Sequence, residues 1–403
     1  MRVAVIGGGF SGCMAALYAE RLGAAVSLYE SAPNLGGIMQ DTHIHEYKFF
    51  NNCQYLEKSL SCISDFKLDQ NLIEFPHRYG SLTKLGNTQT RVVDDFAQPV
   101  LDGPGHVASD ALINGNAEQR LRAYGNRADE LLEWASRFGK LKELDWRCLL
   151  PMQVSRVFFP DDPNFLEKKN TDPISDQLFG IPRLSRQPNV GIEKSMIPID
   201  GYSKWFDKIK HTLQNKNVLV HLGSSIKLRM TGGKPELFWR RQEIEFDKVI
   251  WAGNPTMLFY LTNGIRLCTP AVKATQVFGQ FNDTKISHPY YWQVFDKDSP
   301  ITRVYVYEIE GQSRFSVEAV GADPQIDWGN EVKLCFDQLG LDTNFEIVGT
   351  INQKRYVNFS QDEFSMIDKY SARLPEINII PCGWNQYGRQ EKLNIIFQKL
   401  DTL

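Results

Sequence analysis

Hydrophobic positions along the chain fall into three kinds of pattern. Val3-Ala4-Val5-Ile6 is a continuous apolar run, as in a parallel strand covered on both faces. A helix rich in alanine and leucine follows over Cys13 to Leu22 and stops at Gly23. The next strand, Ala25 to Tyr29, ends in Glu30. Past about residue 60 the pattern changes, and residues 60–190 hold few strong strand signals. Asn116 to Leu141 carries Leu121, Leu131, Leu132, Trp134 and Phe138 at helical spacing, with Gly125 dividing it, so one helix or two shorter ones fit equally. Pro151 to Pro188 is punctuated by prolines and acidic residues and reads as irregular connections. Alternation of strand and helix resumes near residue 196, with a helix over Ser203 to Leu213 and a strand over Val218 to Leu222. A hairpin-like stretch covers Ile226 to Ile244, and a buried strand runs from Phe246 to Gly253. Residues 270–358 alternate apolar and polar positions, as in Arg303-Val304-Tyr305-Val306-Tyr307, which predicts an antiparallel sheet with one covered face. A last strand, Ile377 to Ile380, leads to Cys382-Gly383 and a final helix from about Glu391.

These elements predict an α/β protein: a Rossmann-type parallel-sheet domain, a helical insertion and an antiparallel-sheet substrate domain. A chain of 403 residues is too long for one ordinary core. The nucleotide domain is expected to be discontinuous, over 1–60, 196–260 and 359–403. The insertion or substrate cap then spans 61–195, and the substrate sheet 261–358.

Charge narrows the partners. A net charge of -3, with no long basic run, argues against nucleic acid and still allows a local basic pocket. The seven cysteines are odd in number and lack metal-ligand spacing, which predicts no disulfide framework, no metal site and a reducing, cytoplasmic setting. No cleavable leader is visible, and no apolar run approaches the roughly 20 residues of a membrane span.

The densest chemistry lies at the start. Gly7-Gly8-Gly9-Phe10-Ser11-Gly12 follows the first strand and opens the first helix, fitting G-x-G-x-x-G. Gly7 allows the tight turn, Gly9 the approach of a pyrophosphate, and Gly12 close packing of helix on strand. Phe10 and Ser11 sit at the helix N-terminus, whose N–H groups and partial positive charge suit a diphosphate. Glu30 stands where an acid accepts hydrogen bonds from ribose hydroxyls, with Ser31 beside it. Gly36 and Gly37 complete E-x-x-x-x-x-G-G. This extension resembles the FAD-binding amine oxidase superfamily, where paired glycines pass close to the cofactor, and it implies FAD.

Over nearly the whole chain the order of elements resembles UDP-galactopyranose mutase. The resemblance rests on Gly7 to Gly37, Ile197-Pro198-Ile199-Asp200-Gly201-Tyr202, Phe246 to Pro255, Thr302-Arg303, Arg355-Tyr356 and Ile379 to Leu400. It implies that Arg303 pairs with a substrate diphosphate, that Tyr356 contacts phosphate, and that Gly383, Leu393 and Asn394 lie against the flavin. In that family the flavin is reduced and its N5 serves as nucleophile toward the sugar, without net redox change.

Departures from the family are concentrated in the pocket. Lys48 to Tyr55 replaces a histidine-containing loop, which makes Asn51 and Cys53 candidates for pocket lining. Glu193 and Lys194 stand near an expected second arginine, Trp384 replaces an arginine, and Lys392 replaces an aspartate. His43 and His45, two apart on an expected strand, would share a face and read as structural. The leading expectation is an FAD-dependent oxidoreductase-type enzyme acting on a small polar molecule such as a nucleotide sugar. The alternatives are a pyranose/furanose mutase and a flavin-binding protein without catalysis.

Overall fold

The computed structural model describes residues 1–51, 54–58, 60–76, 79–85, 89–93, 115–122, 124, 128–157, 194–267, 271–321, 325–382 and 389–401. A five-stranded parallel sheet organises the nucleotide end. Its strands are β1 (Arg2–Ile6), β2 (Ala25–Tyr29), β3 (Leu219–His221), β4 (Lys248–Trp251) and β5 (Ile379–Pro381), in the order β3-β2-β1-β4-β5. Val3 to Ile6 are buried on both faces because the sheet is a middle layer. Val3 and Val5 pack with helices α1 (Phe10–Arg21), α2 (Tyr202–Asn215) and α3 (Arg389–Leu400). Ala4 and Ile6 face Leu258 and Phe259 of the helix Pro255–Asn263, and Leu228 and Leu237 of a three-stranded meander.

The second large unit is a seven-stranded sheet. Its order is Phe345–Val357, Ala271–Phe281, Gln312–Val320, Ile301–Ile309, Tyr290–Asp296, Tyr79–Lys84 and Thr90–Val93. All pairings are antiparallel except Tyr290–Asp296 with Tyr79–Lys84. A small antiparallel sheet of Leu56–Glu57, Lys194–Pro198 and Leu72–Pro76 lies beside the nucleotide unit.

Several expectations change here. The stretch expected to be poor in strands supplies three, Leu72–Pro76, Tyr79–Lys84 and Thr90–Val93. The last two close one side of the seven-stranded sheet, Thr90–Val93 as its edge and Tyr79–Lys84 between that edge and Tyr290–Asp296. Both are short and without clean alternation, so their partners rather than their pattern define them. A helix, Trp328–Leu339, interrupts the region read as all sheet. Asp327 caps its start by accepting the Asn330 N–H (3.2 Å), Gly340 ends it at φ 69°, and Val332, Cys335, Phe336 and Leu339 form its buried stripe. Asn116 to Leu141 contains two helices, Ala117–Arg122 and Ala128–Ala135; Gly125 lies outside the described residues. Most of Pro151 to Pro188 also lies outside them. Helix α2 starts one residue earlier than expected because a distant side chain caps it. The Asp41 carboxylate accepts the N–H groups of Tyr202 and Ser203, both at 2.9 Å. Helix α3 is described from Arg389 onward, and the residues just before it lie outside the described ones.

Candidate active site

A cleft of about 1080 Å³ runs from the glycine loop to a wall of side chains drawn from across the chain. Gly7, Gly9, Phe10, Ser11, Gly12, Glu30 and Ser31 line its nucleotide end, with Gly36 and Gly37 beside them. Local constraints shape this end. Gly7 takes φ +106°, which favours glycine, and a Cβ on Gly12 would lie 2.0 Å from the Gly7 carbonyl oxygen. The Gly36 N–H donates to the Gly8 carbonyl at 2.8 Å, so the paired glycines run against the first loop.

Three observations fit a dinucleotide here. A Cβ on Gly9 would meet no protein atom within 4 Å, so this backbone faces open cleft. No side chain caps the N-terminus of α1, leaving its N–H groups directed at the same space. Glu30 is preorganised: its Oε2 accepts the Gly8 N–H at 2.6 Å, and its Oε1 accepts the Ala32 N–H at 2.7 Å and the Ser31 hydroxyl at 3.1 Å. A carboxylate has about four lone-pair positions, so acceptor capacity is left for a ribose hydroxyl.

The opposite end is built from side chains. Tyr55, Glu57, Pro151, Gln153, Tyr291, Arg303, Arg389 and Lys392 line it. Arg389, at the start of α3, donates from Nη1 to both Glu57 oxygens (3.1 and 3.2 Å) and from Nη2 to the Gln54 side chain (3.2 Å). Burial works against its charge, but Glu57 and the neighbouring tyrosines outweigh that and raise its pKa. Arg303 sits over Glu318, with Nε 3.5 Å from the carboxylate. Glu318 is almost fully buried and also contacts Arg355, the Tyr356 hydroxyl and Gln276. Burial alone would raise the Glu318 pKa; Arg355 and Arg303 overcome it and hold the carboxyl below its usual range.

The structure separates residues that the family resemblance had grouped. Arg303 lines the cleft, whereas Tyr356 stands behind it, with its hydroxyl on Glu318 and the Arg303 guanidinium 5.6 Å from its ring. Burial pushes the Tyr356 phenol pKa up. Leu393 and Asn394 do not line the cleft: Leu393 is fully buried in the core, and Asn394 is exposed and accepts from Gln390. The lining positions on α3 are Arg389 and Lys392, one turn apart. Asn51 contacts the Ile38 carbonyl (3.4 Å) at the rim rather than the lining. Cys53 and Gly383 lie outside the described residues. His43 and His45 are exposed and away from the cleft. They do not share a strand face, because His45 occupies the turn at φ 53°. Sequence reasoning missed Tyr55, Glu57, Gln153, Tyr291 and Arg389, which carry no local motif. Lys392 had shown only as a departure from the family.

A cleft of this kind, at the end of a doubly covered parallel sheet, is that of a dinucleotide-binding fold. Residues 2–49 match the family described as FAD dependent oxidoreductase. The match falls on the first strand, the glycine loop, α1 and Glu30 that line the cleft, and the cofactor is FAD. No curated protein matches the sequence. Solved structures match across the chain at low identity and establish the fold. Reduced UDP-galactopyranose mutase is 13% identical with TM-score 0.64, covering 99% of this chain and 94% of its own. A redesigned putrescine oxidase is 12% identical with TM-score 0.63, covering 100% and 98%. An oxidoreductase from Methanosarcina mazei is 12% identical with TM-score 0.56, covering 89% of each chain. Among the described residues, no helix is long and apolar enough to cross a membrane, and no group of three potential ligands could hold a metal.

Proposed function

We propose that this protein is an FAD-dependent oxidoreductase-type enzyme acting on a small polar molecule that carries an anionic group. One observation carries the reading: a single cleft joins the dinucleotide cradle to a wall bearing Arg303, Arg389 and Lys392, against Glu57 as the described acid there. When bound, FAD supplies the electron-accepting chemistry. Arg389 and Lys392 hold the anionic group and Arg303 adds a second contact, while Tyr55 and Tyr291 offer aromatic faces to the rest of the molecule. In this reading the parallel-sheet unit holds the cofactor, and the antiparallel sheet with the insertion supplies the substrate wall. Buried free thiols at Cys13, Cys62, Cys148, Cys335 and Cys382 support a cytoplasmic setting.

A nucleotide-sugar mutase is the second reading, favoured by Arg303 lining the cleft and by chain-long likeness to the reduced mutase fold. One experiment separates the two. The FAD-loaded protein is mixed without oxygen with nucleotide sugars, hydroxy acids and amino acids while the flavin absorbance is followed. Bleaching by one anionic compound and recovery with oxygen is the expected result. Isomerisation of a nucleotide sugar by pre-reduced protein, without net oxidation, establishes the second reading. Neither response to any anionic compound overturns both.

A further inference from the structure

A side pocket of about 220 Å³ adjoins the nucleotide end of the cleft, sharing the wall residues Ser224 and Ser225. Lys227, Phe238, Trp239, Arg240 and Arg241 complete its charged and aromatic lining, and among the described residues no acidic side chain lines it. Ser224 is buried, and its N–H donates to the Glu30 carbonyl at 2.7 Å, so this wall is fixed to the ribose-facing residue of the cofactor cradle. The Trp239 indole N–H is buried and has no hydrogen-bond partner among the described residues. The Arg240 guanidinium lies 4.6 Å from the Trp239 ring.

The two arginines occupy a conformation that disfavours them. Trp239 pairs with Gln242, leaving Arg240 and Arg241 as a two-residue hairpin loop, with φ 51° and 69°. Positive φ at both positions is the type I′ turn, which favours Asn-Gly or Gly-Gly. Other hairpin turns among the described residues place at most one non-glycine side chain at positive φ, as at His45 (φ 53°) and Glu310 (φ 52°). The neighbouring hairpin turns on Gly232-Gly233, at φ 57° and 79°, and the loop between Ile309 and Gln312 uses Glu310-Gly311. Two side chains held in left-handed backbone at the rim of a pocket are the kind of local strain that marks a ligand clamp.

We propose that this pocket is a second anion site, distinct from the flavin cleft, that takes a phosphate-bearing small molecule. Its volume suits a phosphate or diphosphate group rather than a whole nucleotide. Two guanidinium forks and an ammonium supply charge-assisted donors, the Ser225 hydroxyl adds a neutral one, and any base or sugar attached to the phosphate extends outward beside Trp239.

The test is calorimetric titration of the FAD-loaded protein with inorganic pyrophosphate, and separately with ADP. Wild type is expected to bind pyrophosphate with salt-sensitive affinity, and the binding that belongs to this pocket is the part that persists in Arg389→Met, which removes a cation from the flavin cleft wall alone. The double variant Arg240→Asn/Arg241→Gly installs the favoured turn, so its unfolding midpoint should stay level or rise by about 1–2 °C while pyrophosphate affinity falls at least about tenfold. Lys227→Gln should weaken binding by several-fold. Arg229→Gln removes the same charge from the same meander at a residue that does not line the pocket and should leave binding unchanged. ADP binding as tightly as pyrophosphate identifies the diphosphate as the recognised group; ADP binding much more tightly adds the adenosine to the ligand. Binding of neither compound, or equal weakening in Arg229→Gln, overturns the proposal.

Discussion

The two ends of the cleft are made of different material. The nucleotide end is mostly backbone: glycines that leave room, amide groups at the start of α1, and a carboxylate fixed by two neighbouring N–H groups. The proposed substrate end is mostly side chain: Arg303 and Tyr291 on neighbouring strands of the seven-stranded sheet, Arg389 and Lys392 on the last helix, and Glu57 from the small antiparallel sheet. One end is therefore sensitive to added volume and the other to removed charge. Cofactor binding and substrate binding should then fail separately.

The largest effect is expected at Gly12. A Cβ there meets the Gly7 carbonyl oxygen at 2.0 Å, and neither backbone can yield without opening the loop. Gly12→Val should destabilise by about 4 kcal/mol or more and abolish FAD retention, read as flavin absorbance per chain after gel filtration. Gly9→Val sharpens the contrast. A Cβ there meets no protein atom within 4 Å, so the unfolding midpoint of the FAD-free protein should match wild type while FAD binding is lost to a blocked pyrophosphate site.

Next comes Glu318. Replacement by glutamine leaves Arg303 and Arg355 facing a neutral group in a buried setting, a loss of about 3 kcal/mol. The folded carboxyl is held below its usual value of 4.5, so its stabilisation is complete above that pH and is lost as the pH falls toward the lowered value. Urea midpoints across the acid range should therefore fall more steeply for wild type than for Glu318→Gln. Parallel slopes would mean that the carboxylate is not the group being titrated.

Smaller again is Glu30→Gln, which keeps an acceptor but removes the charge that the Gly8 and Ala32 N–H groups hold. FAD affinity should fall about 10–100-fold with little change in fold stability. Unchanged affinity would move the ribose away from Glu30.

The same contrast explains what could be read from the chain before its structure. Gly7 to Gly12, Glu30 and Gly36-Gly37 are legible because a backbone cradle is written in consecutive residues, each required by a local turn or close approach. Parallel strands are legible for the same reason, since burial on both faces makes a continuous apolar run. The substrate end is not, because Glu57 and Arg389 meet only when the last helix packs against a strand formed far earlier. Family order assigns Tyr356 to phosphate, but its hydroxyl is taken by Glu318, which lies on the strand next to Arg303, two strands from Tyr356, and has no motif. Helix α2 shows the same limit in miniature, since its cap comes from Asp41 and no nearby residue foretells it.

The smallest effect on folding, and the sharpest on the comparison, belongs to Arg389→Met. Both partners of the Arg389–Glu57 pair keep about a quarter of their side-chain surface exposed (26% and 25%), so solvent screens the pair and its loss should cost about 1 kcal/mol or less. Methionine preserves much of the length of the stem and removes only the fork. If the two ends act separately, the variant retains FAD fully, keeps its unfolding midpoint within a few degrees, and raises KM for an anionic substrate about tenfold. Charge is the cause only if Arg389→Lys restores part of that loss, and chemical rescue by added guanidinium would say the same more directly. Loss of FAD instead would show that Arg389 and Glu57 belong to the cofactor cradle, so that side chains as well as backbone hold the flavin. The boundary between the two ends would then move to Arg303 and Tyr291.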